Sequence, residues 1–485
     1  MKIAAVFVAS IIFSVAAGAA DVPTFNKHIA PLLYQHCATC HRPGEVAPFS
    51  LLTYEDAAKR AKLIASATER RFMPPWKPEP EYGKFANERR LTDDQIALIR
   101  AWAENGAPEG DPGDKPPLPA FTDGWQAGKP DQILAMPSSF AVASSGHDLF
   151  RCFLLPLNLD RDVYVSGTEF RPGNRRIVHH ALVYVDTTGA ARARAGRDGG
   201  YPCFGGPGVP GVNLIGGWVP GTVAQPPSNE FSRFVPKGSD VVVQIHYHPS
   251  GKPESDQSSV GLIFSGPPKR GRTGAMVIGG RLDIAPGDPH YVVKGQLVLP
   301  RDVELSGISP HAHYLGKEMK VTAYLPDGTS IPLIWIKDWD FNWQGAYQYE
   351  KPIGLPKDTR IEIEYIFDNS ENNPRNPSHP PVRVKWGEQS TDEMALAFLV
   401  VLLPTPDDAD AFGRQIVIQY FEAFLYEGMS IDDLPFEIAS PQRERLLQAL
   451  RFFDRNGNGI LDSDERKALL RIFGGKQLIT RRRIP

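Results

Sequence analysis

Cysteine is scarce in this chain, with four in 485 residues. Cys37 and Cys40 stand close together while Cys152 and Cys203 stand alone. In an oxidising compartment the second pair is free to form one disulfide, the alternative being two separate buried thiols. Charge of one sign is also missing. A net charge of −3 supplies no basic face and excludes nucleic acid as an expected partner. Beyond the first twenty residues no apolar run reaches the length of a membrane span. "MALAFLVVLLP" (394–404) reads as a buried strand instead. Helix-period segments are confined to the ends, whereas Pro (45) and Gly (44) are frequent, which suits a turn-rich, mainly β protein. The length predicts two to four domains.

The leader "MKIAAVFVASIIFSVAAGAA" (1–20) has an early lysine, a short apolar run and small residues at its end. It reads as a secretory signal cut near Ala20, the alternative being a retained anchor. The expected location is therefore periplasmic or secreted, with no membrane span after signal removal.

"CATCH" (37–41) has the spacing for covalent haem attachment. The thiols of Cys37 and Cys40 add to the haem vinyl groups and His41 is placed to bind iron. A redox or zinc CxxC is the alternative, disfavoured by the following His and the leader. Met73 in "RRFMPPW" is the candidate second axial ligand, because a thioether raises the potential. Core packing is the plain alternative for it. "FNKHIAPLLYQH" before the motif has helical period, and "LTDDQIALIRAWAENGAP" (91–108) opens on a Thr/Asp cap and ends at Asn-Gly. This stretch resembles a small class I cytochrome c domain, expected over 21–112. A semi-rigid Pro/Gly-rich linker is expected over 113–129.

Four further stretches hold candidate metal ligands: "RRIVHHALVYVD" (His179, His180), "DVVVQIHYHPSG" (His246, His248), "SPHAHYLG" (His311, His313) and "WGEQSTDEMALAFL" (Met394). On a strand, residues i and i+2 share a face, so His311 and His313 can converge on one metal ion. Adjacent His179 and His180 point to opposite faces and can share a metal only at a bulge or strand end. Each motif alone is weakly informative, but their order is specific. It resembles that of the type II copper, ascorbate-dependent monooxygenases, the peptidylglycine α-hydroxylating and dopamine β-monooxygenase family.

The resemblance spans about 130–405 and implies two jelly-roll β-sandwich domains, over 130–268 and 269–405, each holding one copper. His179, His180 and His246 match the ligands of the electron-transfer site, copper H. His311, His313 and Met394 match the dioxygen-binding site, copper M. Imidazole suits both copper oxidation states and the soft thioether favours Cu(I). Core packing is again the plain alternative for Met394. His248 shares a face with His246 and is expected to support that site or stay exposed. His28, His36, His147, His290 and His379 have no partner motif and are assigned surface or structural roles. The resemblance also implies a Cys152–Cys203 disulfide. Ser309 and Pro310 stand where the amidating enzyme carries a substrate-binding basic residue, and no lyase-like module follows, so a C-terminal glycine substrate is not expected.

"DRNGNGILDSDE" (454–465), within an expected helical tail over 406–485, fits an EF-hand loop. Its expected Ca²⁺ ligands are Asp454, Asn456, Asn458, the Ile460 carbonyl, Asp462 and the bidentate Glu465. The expected function is an exported copper monooxygenase acting on a small organic substrate and dioxygen. Two copper ions, haem c and Ca²⁺ are its cofactors, the haem is its electron donor, and an external one-electron donor feeds the haem. The alternative is a non-catalytic haem–copper electron-transfer or copper-binding protein.

Overall fold

Period-2 burial dominates the chain. In Arg360–Phe367 every second side chain is buried, and the same alternation recurs in Val303–His311 and Gly316–Tyr324. Such segments bury one face by pairing into sheets and stacking the sheets. The protein is accordingly mainly β, with several antiparallel sheets. The computed structural model describes residues 22–424 and 447–469, apart from 46, 122–123, 204–205, 211, 221, 223, 225, 229, 281, 388 and 449. The leader lies outside the described residues. No helix among the described residues is long and apolar enough to cross a membrane.

The chain divides into two units. The first, 1–75 with 89–120, is helical where described. Phe25–Ile29, Ala30–His36, Tyr54–Ala58, Ala61–Glu69 and Asp93–Glu104 pack a core around Phe25, Leu33, Ile64, Ile99 and Trp102. The expected helix start at Thr92 is present as a capping box, with Thr92 and Gln95 each bonding the other's backbone N–H.

The second unit comprises 76–88 and 121–485. One four-stranded sheet runs, in spatial order, Gln132–Ala135, Ser259–Ser265, Val163–Arg171 and Arg233–Val235. A five-stranded sheet runs Gly200–Pro202, Leu149–Pro156, Asp240–Tyr247, Val178–Asp186 and Val212–Trp218. The two share one core, with Val165, Phe170 and Leu262 from the first meeting Phe153, Val183 and Ile245 from the second. A second sheet pair follows. Gly271–Ile278, Leu396–Leu403, Val303–His311 and Tyr347–Leu355 form one sheet, and Tyr291–Val298, Arg360–Phe367, Gly316–Tyr324 and Ser330–Ile336 form the other. Their shared core includes Leu305, Ile308, Val321, Ile363 and Tyr365. The apolar run near 400 is a buried strand, as expected.

Packing runs across three of the expected boundaries. Residues 76–88, expected inside the haem module, belong to the second unit. Phe85 is buried in its core and stacks on Tyr349, and Pro78 bridges to Ile336. This aperiodic, Pro-rich stretch has no helix to join, and its aromatic rings bury against the sheet instead. The expected linker is only partly free: Ala127 is buried and its N–H donates to Glu169 at 2.8 Å. Helix Pro406–Phe424, expected as the start of a tail, buries Ala409, Phe412 and Ile416 in the core of the second sheet pair.

Candidate metal centres

Strand Asp240–Tyr247 is buried along its whole length. Its Val241, Val243, Ile245 and Tyr247 enter the sheet-pair core, which turns Val242, Gln244 and His246 to the opposite face. His180 pairs with His246 on the adjacent strand, while Val178 pairs with Tyr247, leaving His179 as the extra residue of a β-bulge. The bulge is what two adjacent histidines need in order to serve one site. Nδ1 of His180 lies 3.2 Å from Nδ1 of His179 and 3.3 Å from Nδ1 of His246. All three donor atoms fall within 4.8 Å of one another and can hold one metal ion.

Burial holds two of these imidazoles, His179 and His180, neutral, with neighbouring histidines adding to the effect. His179 is lowered to about 3 and His180 well below its ordinary value. A neutral imidazole is the ligating form. Behind the cluster lies Asp148, which sequence reasoning missed because a lone Asp after His147 has no motif. Its Oδ2 is 3.1 Å from His246 Nε2, in ion-pair range although out of line for a hydrogen bond. Its Oδ1 is 2.8 Å from Nδ1 of half-exposed His248. Burial alone would raise the Asp148 pKa, but the contacts with His246 and His248 and a bond from Ser390 hold it well below the usual carboxylate range. His248 therefore supports the cluster through Asp148. Cys152 and Cys203 form the expected disulfide, linking the strands behind His246.

The second cluster departs from expectation in one respect. His311 ends strand Val303–His311, but His313 lies beyond the strand. The rings still approach, with centroids 5.2 Å apart and planes at 85°. His311 Nδ1 is 2.5 Å from Gln344 Oε1, and His313 Nδ1 is 3.0 Å from the Asp392 carbonyl. Both Nδ1 atoms are thus engaged, which leaves the Nε2 atoms as donors. Burial lowers His311 to about 4 and His313 to about 3.

His311 pairs with Leu396 at the end of the antiparallel ladder, and Met394 stands two residues before Leu396 on that segment. Glu393 ties the two segments together. It is fully buried and accepts from the N–H groups of His313 at 2.8 Å, Leu315 at 2.6 Å and Met394 at 3.1 Å. Burial pushes its pKa up to about 8 against the pull of these donors. Met394 is half-buried and stands outside the apolar core cluster, which argues against simple packing.

The two clusters meet across one ring. Phe341, 4% exposed, stacks on His179 at 4.7 Å and meets His313 edge-on at 5.5 Å.

In the first unit, the N–H groups of Cys40 and His41 both return to the Cys37 carbonyl at 3.1 and 2.9 Å, so one turn carries both thiols and His41. His41 Nδ1 is held 3.1 Å from the Phe49 carbonyl, which leaves Nε2 as the ring's other donor atom. Burial raises Cys37 to about 12, with Cys40 adding to the shift. Met73 is half-exposed and outside the unit's core cluster, and its N–H donates to the Ala67 carbonyl at 3.2 Å.

In the C-terminal loop the side chains fold inward. Asp454 accepts from the N–H groups of Asn458 and Gly459 at 3.2 and 2.9 Å, and buried Glu465 accepts from those of Arg455 and Asp462 at 2.7 and 3.0 Å. Asn456 and Asn458 receive the next N–H groups along, and Asp462 caps the following helix at Glu465. Gly459, at φ +75°, makes the left-handed turn that the sixth loop position requires. Of the helix-period run expected before this loop, residues 443–446 and 449 lie outside the described residues.

The depressed histidines have a measurable consequence. In the unfolded chain each takes up a proton near pH 6.5, whereas folded His179, His311 and His313 stay neutral to about pH 3–4 and His180 is held well below its ordinary value. Their contribution is complete above pH 6.5 and is lost as pH falls. The raised His248, Glu393 and Asp392 act in the opposite sense, but the depressed imidazoles, His36 and His41 among them, outweigh these three. The denaturant midpoint of metal-free protein should therefore drop between pH 7 and pH 5, and a rise would show these imidazoles are not buried neutral.

No family model matches this sequence, and no curated protein matches it. Solved structures similar to it include the infectious bursal disease virus VP2 subviral particle (10% identity, TM-score 0.17, covering 60% of this chain and 76% of the other). PNGF-II is similar at 10% identity and TM-score 0.18, covering 58% of this chain and 63% of the other. The infectious bursal disease virus Gx strain follows at 8% identity and TM-score 0.14, covering 56% and 76%. Likenesses this slight carry no argument about the fold or the activity.

Proposed function

We propose that the chain is an exported copper monooxygenase that hydroxylates a C–H bond of a small organic substrate, with a covalently attached haem as its electron donor. The observation that carries this reading is the juxtaposition of two unlike donor sets across Phe341. Three imidazoles converge through Nδ1 on one side, and two imidazoles present Nε2 beside a thioether segment on the other. The disulfide fits an oxidising compartment such as the periplasm. The paired antiparallel sheets suit two jelly-roll domains, and the helical first unit suits a cytochrome c fold.

Copper bound to these sets would supply dioxygen activation at the second site and one-electron transfer at the first. His179, His180 and His246 would hold one ion, with Asp148 orienting His246. His311, His313 and Met394 would hold the other, and the imidazole–thioether set favours Cu(I) over zinc. Cys37, Cys40 and His41 would hold the haem, with Met73 as its sixth ligand, and the loop 454–465 would bind Ca²⁺. A haem on the same chain also acts at an effective concentration of about millimolar when its connection can span the sites.

Elemental analysis of protein matured with haem and copper, followed by oxygen uptake with candidate substrates and mass detection of products gaining one oxygen, tests the proposal. Two coppers without any oxygenated product would favour the non-catalytic electron-transfer reading. Full zinc occupancy despite copper supply would sink both. In the same assays Met394→Ala should keep its haem spectrum and first copper, but lose second-site Cu(I) and oxygen uptake. Unchanged turnover would make Met394 a packing residue.

A further inference from the structure

The segment Asp340–Gln344 carries no histidine, yet it touches both clusters. Asp340 accepts from the backbone and side-chain N–H of Asn342, each at 3.0 Å, and so caps the short turn Phe341–Trp343. Immediately before it, the buried Trp339 indole donates to the His313 carbonyl at 3.0 Å. Phe341 lies between His179 and His313, and Gln344 reaches His311. One turn is therefore anchored to three of the histidines.

We infer that Gln344 is a positioning residue that selects the metal-donor atom of His311. A neutral imidazole carries its proton on one nitrogen only, and the partner of the other nitrogen decides which. An acceptor oxygen at Nδ1 keeps the proton there and leaves the Nε2 lone pair for a metal. His313 receives the same selection from a backbone carbonyl, which no substitution can remove. His311 receives it from a side chain that substitution can change. Partners of this kind fix the ring as well as the tautomer, and their loss costs about 10–100-fold in metal affinity. The inference rests on the reading of His311, His313 and Met394 as a metal site.

The test is a Cu(I) titration of the full chain against a chromophoric chelator, which resolves the two sites by affinity. Gln344→Leu should weaken the second site about tenfold or more while leaving the first within about twofold. Gln344→Glu keeps an acceptor oxygen in place and should retain second-site affinity. If Gln344→Leu binds both ions as the wild type does, or if Gln344→Glu is as weak as Gln344→Leu, Gln344 does not select the donor and the inference is overturned. A wild-type chain that binds only one copper overturns the proposed second site itself, and this inference with it. Those two failures are distinct in the wild-type trace alone.

Discussion

Glu393→Ala should weaken the proposed second metal site and destabilise the domain that bears it. Glu393 is fully buried and accepts three backbone N–H bonds, from His313, Leu315 and Met394. Alanine leaves those donors buried without acceptors, at a cost of about 1–3 kcal/mol each. A total loss of roughly 3–6 kcal/mol is expected once the segment relaxes. The functional effect follows from the same bonds, because Glu393 ties the segment of Met394 to that of His313 through both of their N–H groups. Second-site Cu(I) affinity should fall by at least about tenfold, with the first site spared. Chemical denaturation and copper titration of the same preparation measure both. Near-wild-type stability together with an intact second site would mean that the carboxylate is dispensable.

Removing the disulfide should have an effect of similar size on the first cluster. Cys152 and Cys203 are 51 residues apart, and releasing a loop of that length costs about 4 kcal/mol in the chain-entropy account. The bridge also lies close to the histidines. Cys152 pairs with Gln244, two residues before His246, and Gln244 donates to the Cys203 carbonyl at 3.1 Å. Phe150, two residues before Cys152, stacks on the His246 ring at 4.2 Å. The double substitution Cys152→Ser with Cys203→Ser should therefore lower the denaturant midpoint and weaken the first copper site more than the second. A variant that loses stability yet binds the first copper normally would separate the staple from the site.

What was legible from sequence alone was whatever depends on neighbours along the chain. Thr92 and Gln95 announce a helix start because the capping box spans three residues. The run near 400 announces a buried strand by composition. The adjacent His179 and His180 required a bulge because strand geometry gives no other way to share a site, and the register slips there. The loop 454–465 closes through bonds between residues no more than ten apart.

The tertiary structure decided the rest. Asp148 meets His248 across 100 residues, Glu393 meets His313 across 80, and Gln344 meets His311 across 33. None of these has a spacing that sequence could reveal, because a carboxylate or amide beside an imidazole is set by which strands pair and where a turn folds back. The same cause moved residues 76–88 and helix Pro406–Phe424 into the core of the second unit. Sequence named the residues that a metal would want. Sheet register and a single turn at Phe341 determined which of them face one another, because long-range packing, unlike a motif, leaves no periodicity to read.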